Sequence, residues 1–106
     1  MSFLQGLFKQ NGKNHKQAVQ HVQAGIDLIR SQRWDQAILE LKKAVEIEPD
    51  FAKAHQLLAI SYGGKLDRES AVKHFQILRT LDQSMAKELE DNPLFSMLLR
   101  GGVTAL

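Results

Sequence analysis

Cysteine is missing from this chain of 106 residues, which excludes disulfides and thiolate chemistry without fixing the redox compartment. Long apolar runs are missing too. None approaches the roughly 20 residues that cross a bilayer, and the amino terminus lacks the apolar stretch and small-residue cleavage site of a signal peptide, so a cytoplasmic location is expected. There is no large excess of either charge: the net charge is +2 with 25% charged residues, and a pI of about 9.0 is a small surplus rather than a basic surface for nucleic acid. The apolar/polar alternation of a half-buried strand occurs nowhere. With no strand, no glycine-rich phosphate loop can follow one.

What remains is a helical pattern. Apolar residues recur at helical spacing from His15 to Ser31, with Arg30 near the negative end of the dipole. A second helix is predicted from Trp34 or Asp35 to Glu48, stopped by Pro49. A third is predicted from Phe51 to Tyr62, closed by Gly63-Gly64 in left-handed backbone. A fourth starts after the capping residue Asp67 and carries Ala71, Val72, Phe75, Leu78 and Leu81. A short helix over 84–90 follows, then one opened by Asn92-Pro93 and ended by Gly101-Gly102, with 103–106 frayed. Links of a few residues make neighbouring helices antiparallel.

Residues 1–14 read as a separate, mobile leader. Met1-Ser2-Phe3-Leu4-Gln5-Gly6-Leu7-Phe8 is apolar, and Asn11-Gly12-Lys13-Asn14 reads as a hinge. Lys9, Lys13 and Lys16 come without an acid before residue 18, so the rest of the chain is about one unit negative.

Shifted by 34 positions, the chain matches itself: Ala18 with Ala52, His21 with His55, Gly25 with Ala59, Leu28 with Tyr62, Ala37 with Ala71, Leu41 with Phe75 and Ala44 with Leu78. Such units are helical hairpins that bury their apolar faces only by stacking. The small residues Gly25, Ala37, Ala59 and Ala71 are expected where helices approach most closely, with Leu28, Leu41, Tyr62 and Phe75 filling the space between them.

Two runs carry a resemblance: Ala24-Gly25, Leu28, Ala37, Leu41, Ala44 and Pro49 in the first unit, and Leu58-Ala59, Tyr62, Ala71, Phe75 and Leu78 in the second. In residue size and spacing they resemble the tetratricopeptide repeat (TPR) family. The resemblance covers about two thirds of the chain. It implies an all-α, right-handed α-α superhelix of hairpins, with repeats at 18–51 and 52–85 and a closing helical segment at 86–106. Both units depart from the family in having His21 and His55 where tryptophan is frequent, and Gln83 stands where the first unit has Pro49. The implied function is protein binding, by a small adaptor, scaffold or assembly module.

The first helix is apolar over an arc of roughly 220°, about twice what one neighbouring layer requires. The resemblance places Val19, Val22, Ile26 and Ile29 on the concave face, with Lys53, Gln56 and Ile60 at the matching places of the second unit. An apolar peptide or helix is the expected ligand, oriented by Lys53. Three covers for this stripe are open: the leader through Phe3, Leu4, Leu7 and Phe8, a foreign segment, or a second subunit in a homo-oligomer. The same four leader residues, followed by lysines, could tether the chain weakly to an anionic membrane, by about 1 kcal/mol per lysine. Leu94, Phe95, Met97, Leu98 and Leu99 are expected to close the core against Phe75, Leu78 and Leu81, or otherwise to form a dimer contact. Members of the resembled family that clamp acidic chaperone tails use lysine and asparagine along the groove and arginine further on; Val22 and Ile26 stand here instead, so an acidic tail is not the expected ligand.

No catalytic constellation is visible. His21 and His55, at one place in successive units, are expected about 8–10 Å apart, too far to share a metal ion. Both read as packing residues. His15 and His74 have no acidic or histidine neighbour at helical spacing, and Glu46, Glu48 and Asp50 crowd a helix end. Neither enzymatic activity nor a cofactor is expected.

Overall fold

The structure, a computed structural model, describes residues 2–101, with side chains from Asn14 onward. Six helices follow one another: α1 (Ser2–Arg30), α2 (Trp34–Ile47), α3 (Ala52–Gly64), α4 (Arg68–Leu81), α5 (Gln83–Asp91) and α6 (Pro93–Leu99). The described residues include no strand, and the chain is all-α. Each helix packs against the next, α1 also meets α3, and α3 also meets α5. The last helix, α6, also meets α3 and α4.

Two hairpins, α1–α2 and α3–α4, repeat each other at their turns. The carbonyl of Leu28 accepts from the amides of Ser31 and Arg33, and the carbonyl of Tyr62, 34 positions on, accepts from Lys65 and Asp67. Gln32 and Leu66, again 34 apart, both take left-handed backbone, at φ 57° and 63°. Each turn hands over to its second helix by the same bond, from Ala37 to Arg33 and from Ala71 to Asp67.

Packing follows the small-and-large pattern. Gly25, Ala37, Ala59 and Ala71 are buried, and Leu41 and Phe75 fill the space beside them. A Cβ on Gly25 would stand 2.7 Å from the Leu41 side chain, so glycine is what lets α1 and α2 approach. One core cluster gathers α1, α2 and α3 around Leu41 and Leu58; a second gathers Phe75, Leu78, Leu89, Phe95 and Leu98. Ile60 and Tyr62 pack against both.

Three expectations are corrected. The break at Asn11-Gly12-Lys13-Asn14 is absent, since α1 runs through it; two flanking helical stretches in register spare the chain the cost of nucleating a new helix. Gly63-Gly64 lie inside α3 rather than ending it, and the left-handed residue is Leu66. Gly64 is instead required by Trp34, whose ring would collide with a Cβ there. The closing segment divides: Phe95 and Leu98 enter the core, with the Phe95 ring 5.7 Å from that of Phe75, whereas Leu94, Met97 and Leu81 are exposed. The expected fraying of 103–106 falls outside the described residues.

Candidate functional site

The apolar arc of α1 serves two neighbours, which explains its width: α2 takes one side and α3 another. Val22 is only 4% exposed and belongs to the core, so it is corrected from a groove residue to a packing one. Val19, Ile26, Ile29, Gln56 and Ile60 are half-buried, and Lys53 is exposed. Ile26 and Ile60 hold equivalent places in the two hairpins, and with Ile29 they pack on the first cluster while keeping part of their surface open. The side-chain carbonyl oxygen of Gln56 is buried without a hydrogen-bond partner among the described residues. The contacts expected of Phe3, Leu4, Leu7 and Phe8 fall outside the described side chains.

An apolar groove of about 560 Å³ opens at the turn end of the hairpins. The first turn contributes Gln32, the start of α2 contributes Trp34, and α3 contributes Ile60, Gly63 and Gly64. Leu66 of the second turn, Leu89 and Asn92 at the end of α5, and Leu94, Phe95 and Leu98 of α6 complete it. Of the residues expected on the concave face, Ile60 lines this groove, as do Leu94, Phe95 and Leu98, expected to close the core or otherwise to form a dimer contact. The other lining residues come from segments distant in sequence, which helical spacing within one element cannot reveal. One signal was available: a leucine at position 66, in a turn.

Two lining residues break packing rules. Leu66 is 60% exposed and Leu94 76% exposed, although both are large and apolar. Leu66 also holds φ 63°, a conformation that costs a residue with a Cβ roughly 1–2 kcal/mol. Nothing in the interior rewards a leucine at either place.

The groove wall is well anchored. Asn92 caps α6 by accepting from the amides of Leu94 and Phe95 at 3.0 and 3.1 Å. Arg68, at the start of α4, donates through Nε to the carbonyl of Leu98 at 2.9 Å and through Nη2 to that of Leu99 at 2.7 Å. Beside the groove, Lys65 pairs with Asp35 in a neighbouring depression, which raises the lysine pKa. That depression shares Gln32 and Trp34 but is otherwise polar.

The histidines are paired rather than isolated. His21 donates through Nδ1 to Glu40 at 2.9 Å and lowers the pKa of that carboxylate, and His15 donates to Glu48 at 2.7 Å. His55, 5% exposed, places Nε2 2.8 Å from the Pro49 carbonyl, so Nε2 carries its proton and its bare Nδ1 accepts from Nδ1 of His74 at 3.1 Å. Spacing along one helix could not show this partner of His74. The pair His55/His74 stands 34 positions after His21/Glu40. His74 also stacks on Tyr62 at 5.7 Å. Burial, then His55, Lys73 and Lys42, push its pKa down to about 4. Among the described residues, no group of three or more His, Cys, Asp or Glu is placed to hold a metal ion, and no helix is long and apolar enough to cross a membrane.

Comparison of the chain with family models, with curated proteins and with solved structures finds no match.

Proposed function

We propose that this chain is a TPR-like protein-interaction module, a right-handed stack of two helical hairpins closed by α5 and α6, whose apolar groove takes an amphipathic helix or apolar peptide. The observation that carries the reading is the exposure of Leu66 and Leu94 on the rim of a 560 Å³ groove, where the fold itself gains nothing from them. Burying one such side chain contributes about 1.5–3 kcal/mol before ordering costs, so a ligand covering both and touching Ile60 and Trp34 has enough to bind. Ile26 and Ile29 extend the apolar surface from Ile60 along α1, and Gln56 and Lys53 supply polar contacts further along α3. The 34-residue repeat of turns, bonds and crossing points supports the family reading.

Trp34 is the single tryptophan and lines the groove, so its emission reports occupancy. A model amphipathic helix of leucine and lysine, titrated into a dilute solution of the full chain, should shift that emission along a one-site curve. Leu66→Glu combined with Leu94→Glu should weaken the binding at least about ten-fold with the helical circular dichroism unchanged, since two desolvated carboxylates cost more than the 1.4 kcal/mol that ten-fold represents. Emission that stays flat to millimolar peptide would end this reading.

A further inference from the structure

We propose that the occupant of the groove is the amino-terminal part of α1 from a second copy of this chain, seated through Phe3, Leu4, Leu7 and Phe8. The inference rests on the groove being a docking surface and names what docks there. Its first support is chemical: positions 3, 7 and 4, 8 are two pairs spaced by four, so on a helix they form one apolar stripe of the kind the groove fits. Geometry supplies the second. Because α1 is continuous from Ser2 to Arg30, Phe8 stands about 33 Å along the axis from Arg30, while the groove opens at Gln32. A chain therefore cannot fill its own groove with its own leader, and the complementary pieces meet only between copies. Two copies that exchange leaders make both contacts at once and close as a two-fold dimer.

Charge agrees with this pairing. The stripe is followed by Lys9, Lys13 and Lys16 with no acid among them. On α5, the exposed Glu88 and Glu90 flank Leu89, which lines the groove, while Asp91 is paired with Lys87 at 3.3 Å. A basic segment arriving at an acidic edge is attracted, and added salt screens the attraction.

Sedimentation equilibrium of the full chain from about 5 to about 500 µM, a range that spans ordinary self-association constants, should show a dimer that weakens with salt. A groove variant, Leu66→Glu with Leu94→Glu, and a leader variant, Leu7→Glu with Phe8→Glu, should each be monomeric. Mixed in equal amounts, they should form a heterodimer, because one intact leader then meets one intact groove. If either glutamate variant loses its helical circular dichroism, Phe3→Ser with Phe8→Ser and Leu94→Gln replace them. A parent chain that stays monomeric, a leader variant that stays dimeric, or a mixture of folded variants that fails to associate would each overturn the proposal. The leucine–lysine helix, titrated into the leader variant, separates the two readings. Binding there beside a monomeric parent removes the second copy as occupant and keeps the groove; no binding removes both.

Discussion

Leu66 shows at the scale of a single residue how a surface can be told from a core. Its side chain is exposed, its backbone is left-handed, and Gln32 at the matching turn shows that the fold asks only for that backbone, not for a leucine. Replacing it with glycine relieves the left-handed strain but adds freedom to the unfolded chain, two effects of about 1 kcal/mol that oppose each other. Leu66→Gly should therefore leave urea-unfolding stability within about 1 kcal/mol of the parent while weakening the leucine–lysine helix several-fold. A larger loss of stability would mean that Leu66 is a structural residue. His74 gives the opposite case, a residue whose meaning lies in the interior. Its folded pKa, about 4, is below the ordinary 6.5, so between those values the unfolded chain binds more protons than the native one. The stability it contributes is complete above pH 6.5, falls as the pH drops towards 4, and is lost below. The groups that face it are His55 and Tyr62 of α3, Lys73 of its own helix and Lys42 of α2. Allowing for partial solvent screening, the loss is on the order of 1–2 kcal/mol. Urea titrations of the parent and of His74→Gln at pH 7 and pH 4.5 should show a smaller drop in the variant by that amount; equal drops would place the acid sensitivity elsewhere.

Whole elements were legible where their signals were local and chemical. Asp67 was readable as a cap because a short side-chain acceptor before a helical run has one favourable task, and it does accept from the amide of Ser70 at 3.2 Å; Asn92-Pro93 was readable as a helix start from its proline. Glycine was misread twice, for one physical reason. A glycine costs a helix only about 1 kcal/mol, so Gly12 and Gly64 stay helical when the flanking register or a neighbour such as the Trp34 ring favours it. Val22 was misread because spacing gives the side of a helix but not how many neighbours share it. The groove was legible at Ile60 and, as an alternative dimer contact, at Leu94, Phe95 and Leu98, but not as one surface, since its walls are assembled from two turns and four helices. Among those walls α6 depends most on its surroundings. At seven residues it is too short to be helical alone, and Arg68 ties its last carbonyls to α4. Arg68→Ala should cost about 1–2 kcal/mol and speed amide exchange in 94–100 while α1 and α2 keep their protection. Arg68→Lys should recover only part of this, because an ammonium does not present the two-pronged donor that meets both carbonyls. Uniformly faster exchange across all helices would show that the tie serves the whole fold rather than α6.

On the scale of the molecule, the question is how two hairpins stand where stacked repeats ordinarily come in threes. The closing helices answer it: Phe95 and Leu98 cover the side of the second hairpin that a third would bury, against Phe75, Leu78 and Leu89. Removing residues 92–106 withdraws two large apolar side chains, worth about 3–6 kcal/mol together before any cavity is counted. That is comparable with the whole stability of a small domain, about 5–15 kcal/mol. The loss is not spread evenly, because the cluster around Leu41 and Leu58 lies among α1, α2 and α3 and includes no residue of α5 or α6. Among the described residues Ile60 and Tyr62 pack against both clusters, and α3 also supplies Leu57 and Leu58 to the first and Ala59 to the second, so α3 joins the two clusters. The truncated chain should thus melt at least about 15 °C below the parent, at several degrees per kcal/mol for a domain of this size. Hydrogen exchange should show protection lost first in α4 and α5 while α1 and α2 keep most of theirs, as expected when stability is a sum over neighbouring units. Ile60→Ala in the full chain, which trims the link without removing a hairpin, should broaden the thermal transition towards two steps. A truncated chain that loses protection evenly, or an Ile60→Ala chain that still unfolds in one sharp step, would mean that the two clusters act as a single core.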